Sequence, residues 1–340
     1  MSQQPLTTSE PCVAQPSQNY CESSAANKTL VSCVIPCYRS ELSVGQVVSE
    51  IELAFESRSA EYDYEIILVN DASPDGTLQV IERLAAGDAH VVAADLARNF
   101  GQQSAIMAGF SLVRGDIVVV LDDDMQCPPS EMFKLIDVLV NEKKDIVYAS
   151  YGHREHAGWR NLGSRFNTWC NRKFCRVPND LQVNNYYAVR RYVVDCALNY
   201  QNPYPYIEGL LMQAVRTYAN VEITHNAREF GESGYNMHRL LTQWFNGVTL
   251  FSVYPLRIAT ALGFLISLVG LVFACFVVVQ RILDPSITEG WSSLMAAQMF
   301  IGGLILFSLG IVGEYIGRIY LSLNHMPQYI IRNVRDSRGE

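Results

Sequence analysis

From Leu30 onward, short apolar runs alternate with stretches whose apolar residues recur every three or four positions. "LVSCVIP" reads as a buried strand that stops at Pro36, and Ser43 is placed to cap a helix reaching about Arg58. "YEIILVND" predicts a second buried strand, "ASPDGT" a turn, and the residues after it a helix through Leu84. "HVVAADL" follows as a third strand, and "GQQSAIMAGFSLV" as a helix whose small residues allow close packing. "DIVVVLD" and "DIVYASY" are the fourth and fifth strands, separated by a helix around Glu131 to Val140. Strands alternating with helices predict an α/β fold with a mostly parallel, doubly wound sheet. Ligands bind such sheets beyond the carboxyl ends of the strands, where the loops after Pro36, Asn70, Leu96 and Leu121 gather.

The pattern changes toward the C-terminus. After Trp159 it is irregular, with basic and aromatic segments, up to about Arg239. In "LLTQWFNGVTLFSVYP", residues Leu241, Trp244, Phe245, Val248 and Phe251 share one helical face, which predicts an amphipathic helix lying in a membrane interface. Residues 258–279 and 291–313 carry no charge, and each is long enough to cross a hydrocarbon core of about 30 Å. Arginines dominate after the second run, at Arg318, Arg332, Arg335 and Arg338, while Arg281 in the connecting loop is balanced by Asp284 and Glu289. That asymmetry places both flanks in the cytoplasm, making a multi-pass protein of the inner (cytoplasmic) membrane. The expected division is a disordered tail over 1–29 and a catalytic domain over 30–235. An interfacial helix over 236–254, a transmembrane hairpin over 255–320 and a cytoplasmic tail over 321–340 follow.

Composition narrows the classes. A formal charge of -8 leaves no basic footprint for nucleic acid. Nine cysteines, scattered without CxxC pairs, argue for reduced thiols rather than a disulfide framework or zinc site. The first residues, rich in Ser, Gln, Thr and Pro, contain no basic and apolar signal segments.

The chemistry concentrates where "VVVLDDDMQCPP" turns from apolar to acidic. Three adjacent carboxylates repel one another and call for a positive partner. If the extended geometry persists, Asp122 and Asp124 face one way and Asp123 the other. Two oxygen ligands on one face suit a hard divalent cation, Mg²⁺ or Mn²⁺, with positions left for phosphate oxygens. An exposed acidic turn is the competing reading. Asp71 and Asp75 sit in a loop that reads either as a ligand site or as a plain Asx-type turn. Arg154 and Arg160 suit phosphates or anionic lipid headgroups.

In this order, "VIPCYRSE", "VNDASPDGT", "ARNFGQQSAIMAGF", "RGDIVVVLDDDMQCPP", "REFGESGY" and "GEYIGRIY" resemble the membrane-bound family 2 glycosyltransferases, in the branch that uses polyprenyl phosphates. The resemblance implies a GT-A catalytic domain, a nucleotide-sugar donor (a UDP-sugar ahead of a GDP-sugar) and a lipid acceptor such as undecaprenyl phosphate. It also implies inversion at the anomeric carbon, contact with membrane lipids, and leaves a homo-oligomer open. By position, it implies donor contacts from Pro36, Tyr38, Glu41, Asp71, Asp75, Asp122 and Asp123, with Asp71 reading the nucleobase. Asp122, Asp124 and Gln126 match its metal–diphosphate motif. Arg154 and Arg160 match basic catalytic residues near the phosphates, and Arg228, Ser233 and Arg239 are candidates for the phosphate or acceptor.

Three positions depart from that pattern: Arg39-Ser40-Glu41 replaces Asn-Glu, Asp123 replaces alanine, and Gly234 replaces lysine. The usual alanine implies that Asp123→Ala is much milder than loss of Asp124. A processive polysaccharide synthase is the second enzyme reading, but "QAVRT" from Gln213 lacks the tryptophan of that group's motif. A non-catalytic lipid-binding scaffold is the third. A phosphate acceptor is already anionic near neutral pH, so no Asp or Glu outside the metal and donor sites is expected to be essential.

Overall fold

A computed structural model describes residues 28–151, 178, 180–203, 205–224, 290–323 and 326–338, with scattered helical positions between 259 and 279. Eight strands form one sheet in the order β7-β5-β6-β4-β1-β2-β3-β8. The first five are the apolar runs expected from sequence: β1 (Thr29–Cys37), β2 (Tyr62–Asn70), β3 (Val91–Leu96), β4 (Ile117–Val120) and β5 (Ile146–Ser150). β1, β2, β3 and β4 are mutually parallel, with β1 at the centre. The sheet is mostly parallel, as expected, with β1, β2, β3, β4, β5 and β7 running one way, and two antiparallel strands, β6 and β8, make it mixed. β6 (Tyr187–Arg190) runs antiparallel between β4 and β5, and β7 (Tyr218–Glu222) lies parallel to β5 at one edge.

Helices cover both faces. On one side α1 (Val44–Glu56), α2 (Thr77–Gly87) and α4 (Met132–Asn141) bury Val47, Ile51, Phe55, Ile81, Leu135 and Leu139 against Cys33, Ile35, Ile66 and Leu68. On the other, α3 (Gln102–Phe110), α5 (Arg191–Leu198) and α6 (Ile207–Ala214) pack on Val34, Ile67, Val69 and Val118. The alternation of β1 and β2 side chains between these two cores is the period-two rule of a strand buried on both faces. The small residues of α3 do what the sequence suggests: a Cβ at Gly109 would collide with the Val34 side chain. The helix therefore lies close enough to bring its first residue, Gln102, over the carboxyl edge. Ser43 stands at the N-cap of α1 but its side chain makes no capping bond. The turn is closed by the Ser40 carbonyl, which accepts from the N–H groups of Ser43 and Val44 at 3.1 and 3.0 Å.

The largest correction concerns the C-terminus. α7 (Trp291–Leu323) is one helix of 33 residues that continues past Gly313 through Glu314 and Arg318, because charge changes the solvent a helix prefers, not its internal hydrogen bonds. Within it, Phe300–Gly317 has the length and apolarity to cross a membrane, and none of that window is buried by protein. It is the one such helix among the described residues, which hold only scattered positions of the other expected span, 258–279. The segment 321–340, read as a tail, contains an eighth strand. β8 (Ile331–Asp336) pairs antiparallel with β3, from Leu96↔Ile331 to Val92↔Asp336. Arg338, just beyond it, pairs with buried Glu65 of β2. Residues 1–27 of the expected tail over 1–29, the interfacial helix over 236–254 and most of the first span lie outside the described residues, and β1 already begins at Thr29.

Candidate active site

The four loops at the carboxyl edge each turn through one residue in the left-handed region: Arg39 (φ 60°), Ala72 (φ 49°), Gly101 (φ 89°) and Met125 (φ 58°). Three of these are not glycine, so the surrounding bonds must hold conformations that L-residues resist. Those bonds run from loop to loop. The Arg39 N–H donates to Ser73 Oγ at 2.8 Å, the Ser40 N–H to Thr77 Oγ1 at 2.9 Å, and the Gly76 N–H to Glu41 Oε2 at 3.0 Å. Asn70 Nδ2 donates to Asp95 at 2.8 Å. The Phe100 and Gly101 N–H groups donate to the two oxygens of Asp71 at 2.7 and 2.8 Å.

Beyond Val120 the fourth strand has ended, so strict strand alternation does not govern the carboxylates. Asp122 accepts from Gln102 Nε2 at 2.7 Å and also faces the Asn185 side chain. Both are neutral amides, which orient a carboxylate without cancelling its charge. Burial, then the charges of Asp124 and Asp123, push the Asp122 carboxyl up to about 7. Asp124 accepts from the Gln126 N–H at 3.1 Å. Asp123 turns toward the first loop, where its Oδ2 accepts from the Tyr38 N–H at 3.3 Å and from the Ser40 hydroxyl. Burial pushes it up to about 6 against the pull of those two donors. Ser40 and Asp123, two departures from the resembled pattern, are thus in contact.

The sequence-derived donor residues do assemble at one edge, in unequal states. Tyr38 is exposed and Arg39 lies over its ring at 5.6 Å, whereas Pro36 is buried in β1. Asp71 is 3% exposed, with burial raising its carboxyl and the two loop N–H groups opposing. Asp75 caps the start of α2, accepting from Ser73 Oγ at 2.5 Å, Thr77 Oγ1 at 2.6 Å and the Thr77 N–H at 3.2 Å. Burial acts to raise its carboxyl, but these donors outweigh it and hold it below the ordinary range. Arg154, Arg160, Arg228, Ser233, Gly234 and Arg239 lie outside the described residues.

Sequence reasoning missed Ser40, Ser73, Thr77, Gln102 and Asn185, the residues that join the loops. It also missed Gln103, whose Oε1 accepts from the Ile207 N–H at 2.8 Å and whose Nε2 donates to Glu208 at 3.2 Å. That clamp ties α3 to α6 and steadies Gln102 beside Asp122. The one available signal was "FGQQ": a glycine able to turn the chain, then two amides opening a helix.

Among the described residues no group of three or more His, Cys, Asp or Glu side chains forms a ready-made metal cage. The donors still fit a divalent cation that shares its shell with a phosphate ligand. Asp124 is near enough for its charge to disfavour that of Asp122, and the amides on Asp122 orient it without cancelling its charge.

An α/β sheet with an acidic strand end is joined in one chain to an exposed apolar helix, and comparison with known proteins gives that arrangement a family. Residues 32–195 match the model of glycosyl transferase family 2, and residues 254–319 match the GtrB C-terminal hairpin. The undecaprenyl-phosphate 4-deoxy-4-formamido-L-arabinose transferase of Sodalis glossinidius (strain morsitans) is 34% identical over 308 residues, covering 89% of this chain and 93% of that relative. The protein of the same name from Proteus mirabilis (strain HI4320) is 33% identical over 309 residues, with the same two coverages. Among solved structures, glucosyl-3-phosphoglycerate synthase from Mycobacterium tuberculosis, with Mn²⁺, uridine diphosphate and phosphoglyceric acid, is similar at a TM-score of 0.48 and 20% identity, over 65% of this chain and 76% of that one. The chain belongs to glycosyl transferase family 2, and it is a glycosyltransferase.

Proposed function

We propose that the protein transfers one sugar from a nucleotide-sugar to a polyprenyl phosphate such as undecaprenyl phosphate, at the cytoplasmic face of the membrane. The observation that carries this reading is the span of the likeness. Relatives named as undecaprenyl-phosphate transferases match 89% of the chain, the catalytic sheet and the apolar C-terminal region together. The apolar side chains exposed along α7, among them Phe300, Leu306, Phe307 and Leu309, need a cover other than water, and a bilayer supplies one. The match over 254–319 to a hairpin model supports two crossings.

Asp122 and Asp124 would hold Mg²⁺ or Mn²⁺, which when bound offsets the negative charge of the donor diphosphate. The work of the chain itself is to position and to exclude. Tyr38, Glu41, Asp71 and Asp75 shape the donor edge, a UDP-sugar being preferred over a GDP-sugar. Arg154, Arg160, Arg228, Ser233 and Arg239 are proposed to hold the phosphates of donor and acceptor. The acceptor phosphate, anionic near neutral pH, attacks the anomeric carbon as the bond from that carbon to the diphosphate breaks and the nucleoside diphosphate leaves, so inversion follows from a single in-line displacement without a protein base. Incubation of membranes with radiolabelled nucleotide-sugars tests the reading. The label should move to a chloroform-soluble product with undecaprenyl phosphate and not with undecaprenol. Insoluble polymer as the product would favour a processive synthase instead.

A further inference from the structure

The loop after β1 is held on two sides. On one side Arg39, Ser40 and Glu41 bond to Ser73, Thr77 and Gly76 of the loop after β2. On the other, Tyr38 and Ser40 both donate to a single oxygen, Oδ2 of Asp123. Between the two donors lies Arg39, in the left-handed region at φ 60°. A non-glycine residue there stays in place only when its neighbours fix it from both directions. Tyr38 itself is 41% exposed, so its ring is open to a ligand while its backbone is tied down.

We propose that Asp123 is a positioning residue for the donor. It clasps the Tyr38–Ser40 turn to the loop that carries Asp122 and Asp124, and through that turn it sets where Tyr38 meets the nucleotide-sugar. Its neighbours in sequence hold charge toward the diphosphate; Asp123 acts on the protein instead. The carboxylate accepts hydrogen bonds, so an amide oxygen can replace it and a methyl group cannot. The inference rests on the donor site proposed above, and it predicts an order of variants that neither a metal ligand nor a solvated charge would give. Removing the clasp leaves the three bonds to the second loop, so the domain keeps its fold.

The experiment uses the full chain in detergent or nanodiscs, with hydrogen–deuterium exchange across residues 38–41 and calorimetry with the nucleoside diphosphate. Asp123→Ala and Ser40→Ala should each speed exchange over the turn and raise the donor KM by on the order of tenfold, with kcat within about twofold. The double variant should be little worse than either single one, since both cut the same contact. Asp123→Asn should recover most of the loss, and the cation concentration needed for half-activity should stay within about twofold throughout. Additive effects, an Asp123→Asn as damaging as Asp123→Ala, or a loss expressed mainly in cation affinity would each overturn the proposal. If the wild type binds no nucleotide, the donor reading fails on its own account. The exchange comparison still decides whether the clasp exists.

Discussion

Asp122 and Asp124 illustrate how one side chain's surroundings set its task. A carboxyl pushed up to about 7 by burial and by its neighbours is half protonated near neutral pH when nothing cationic faces it. Its folded value lies above the unfolded one. The proton it takes up stabilises the fold fully below about pH 4, and that contribution is lost as pH rises through about 7. A cation competes with the same proton. Cation binding, followed by fluorescence or calorimetry, should therefore weaken as pH falls through about 7, and the cation should raise Tm more at pH 8 than at pH 6. Asp124→Asn should abolish transfer while circular dichroism remains that of the wild type. Full activity of that variant, or of the wild type in excess chelator, would remove the cation from the mechanism.

At this scale the sequence was legible for charge and blind to small polar groups. Carboxylates ending an apolar strand are costly enough to announce a purpose. Ser40, Ser73 and Thr77 look like ordinary turn residues, since hydroxyls occur in loops whether or not they join them. Arg39, Ala72 and Met125 gave no sign of their left-handed backbone, because glycine or asparagine is the usual marker.

Among elements, α3 does most to place the site. It is seated by the absence of a side chain at Gly109, and it carries Gln102 to Asp122 and Gln103 to α6. Gly109→Val should push the helix from the sheet and cost about 1–3 kcal/mol in urea unfolding. It should also weaken cation binding more than an equally destabilising change elsewhere in the core; equal losses would detach α3 from the site. Strands β1 to β5 could be read because they are apolar and flanked by helices. The others could not. β6 is four residues long, and β7 and β8 are edge strands with mixed polarity, whose pairing depends on partners far away in sequence.

For the whole molecule, the catalytic sheet is built from two stretches of chain separated by the apolar region. Glu65 is buried beneath Arg338, which also donates to Asp336 at 2.8 and 2.7 Å, while Arg114 donates to Asp336 at 3.1 Å. Arg338→Met leaves Glu65 buried without its cation and should cost about 3–5 kcal/mol, read by chemical denaturation. A cost below about 1 kcal/mol would mean that the ion pair does not anchor the strand. The orientation proposed above has its own check. A cysteine at Ser286 should react with an impermeant thiol reagent from outside, and one at Ser337 only after the membrane is opened.

The return of β8 has a consequence for how such a protein is made. Because β8 begins beside Leu96, its first residue lies at the carboxyl edge of the sheet, and seven residues, a reach of at most about 28 Å from Leu323 to Ile331, separate it from the end of α7. This segment is a leash as well as a link: it keeps the donor edge within reach of whatever surface holds the helix. It also fixes an order of assembly. A ribosome delivers β1 to β7 first, with β3 left as a bare edge, and the strand that covers it emerges only after the apolar region and α7. The sheet is therefore complete only once the apolar region has been made, and an exposed β3 edge marks a chain that has not yet finished.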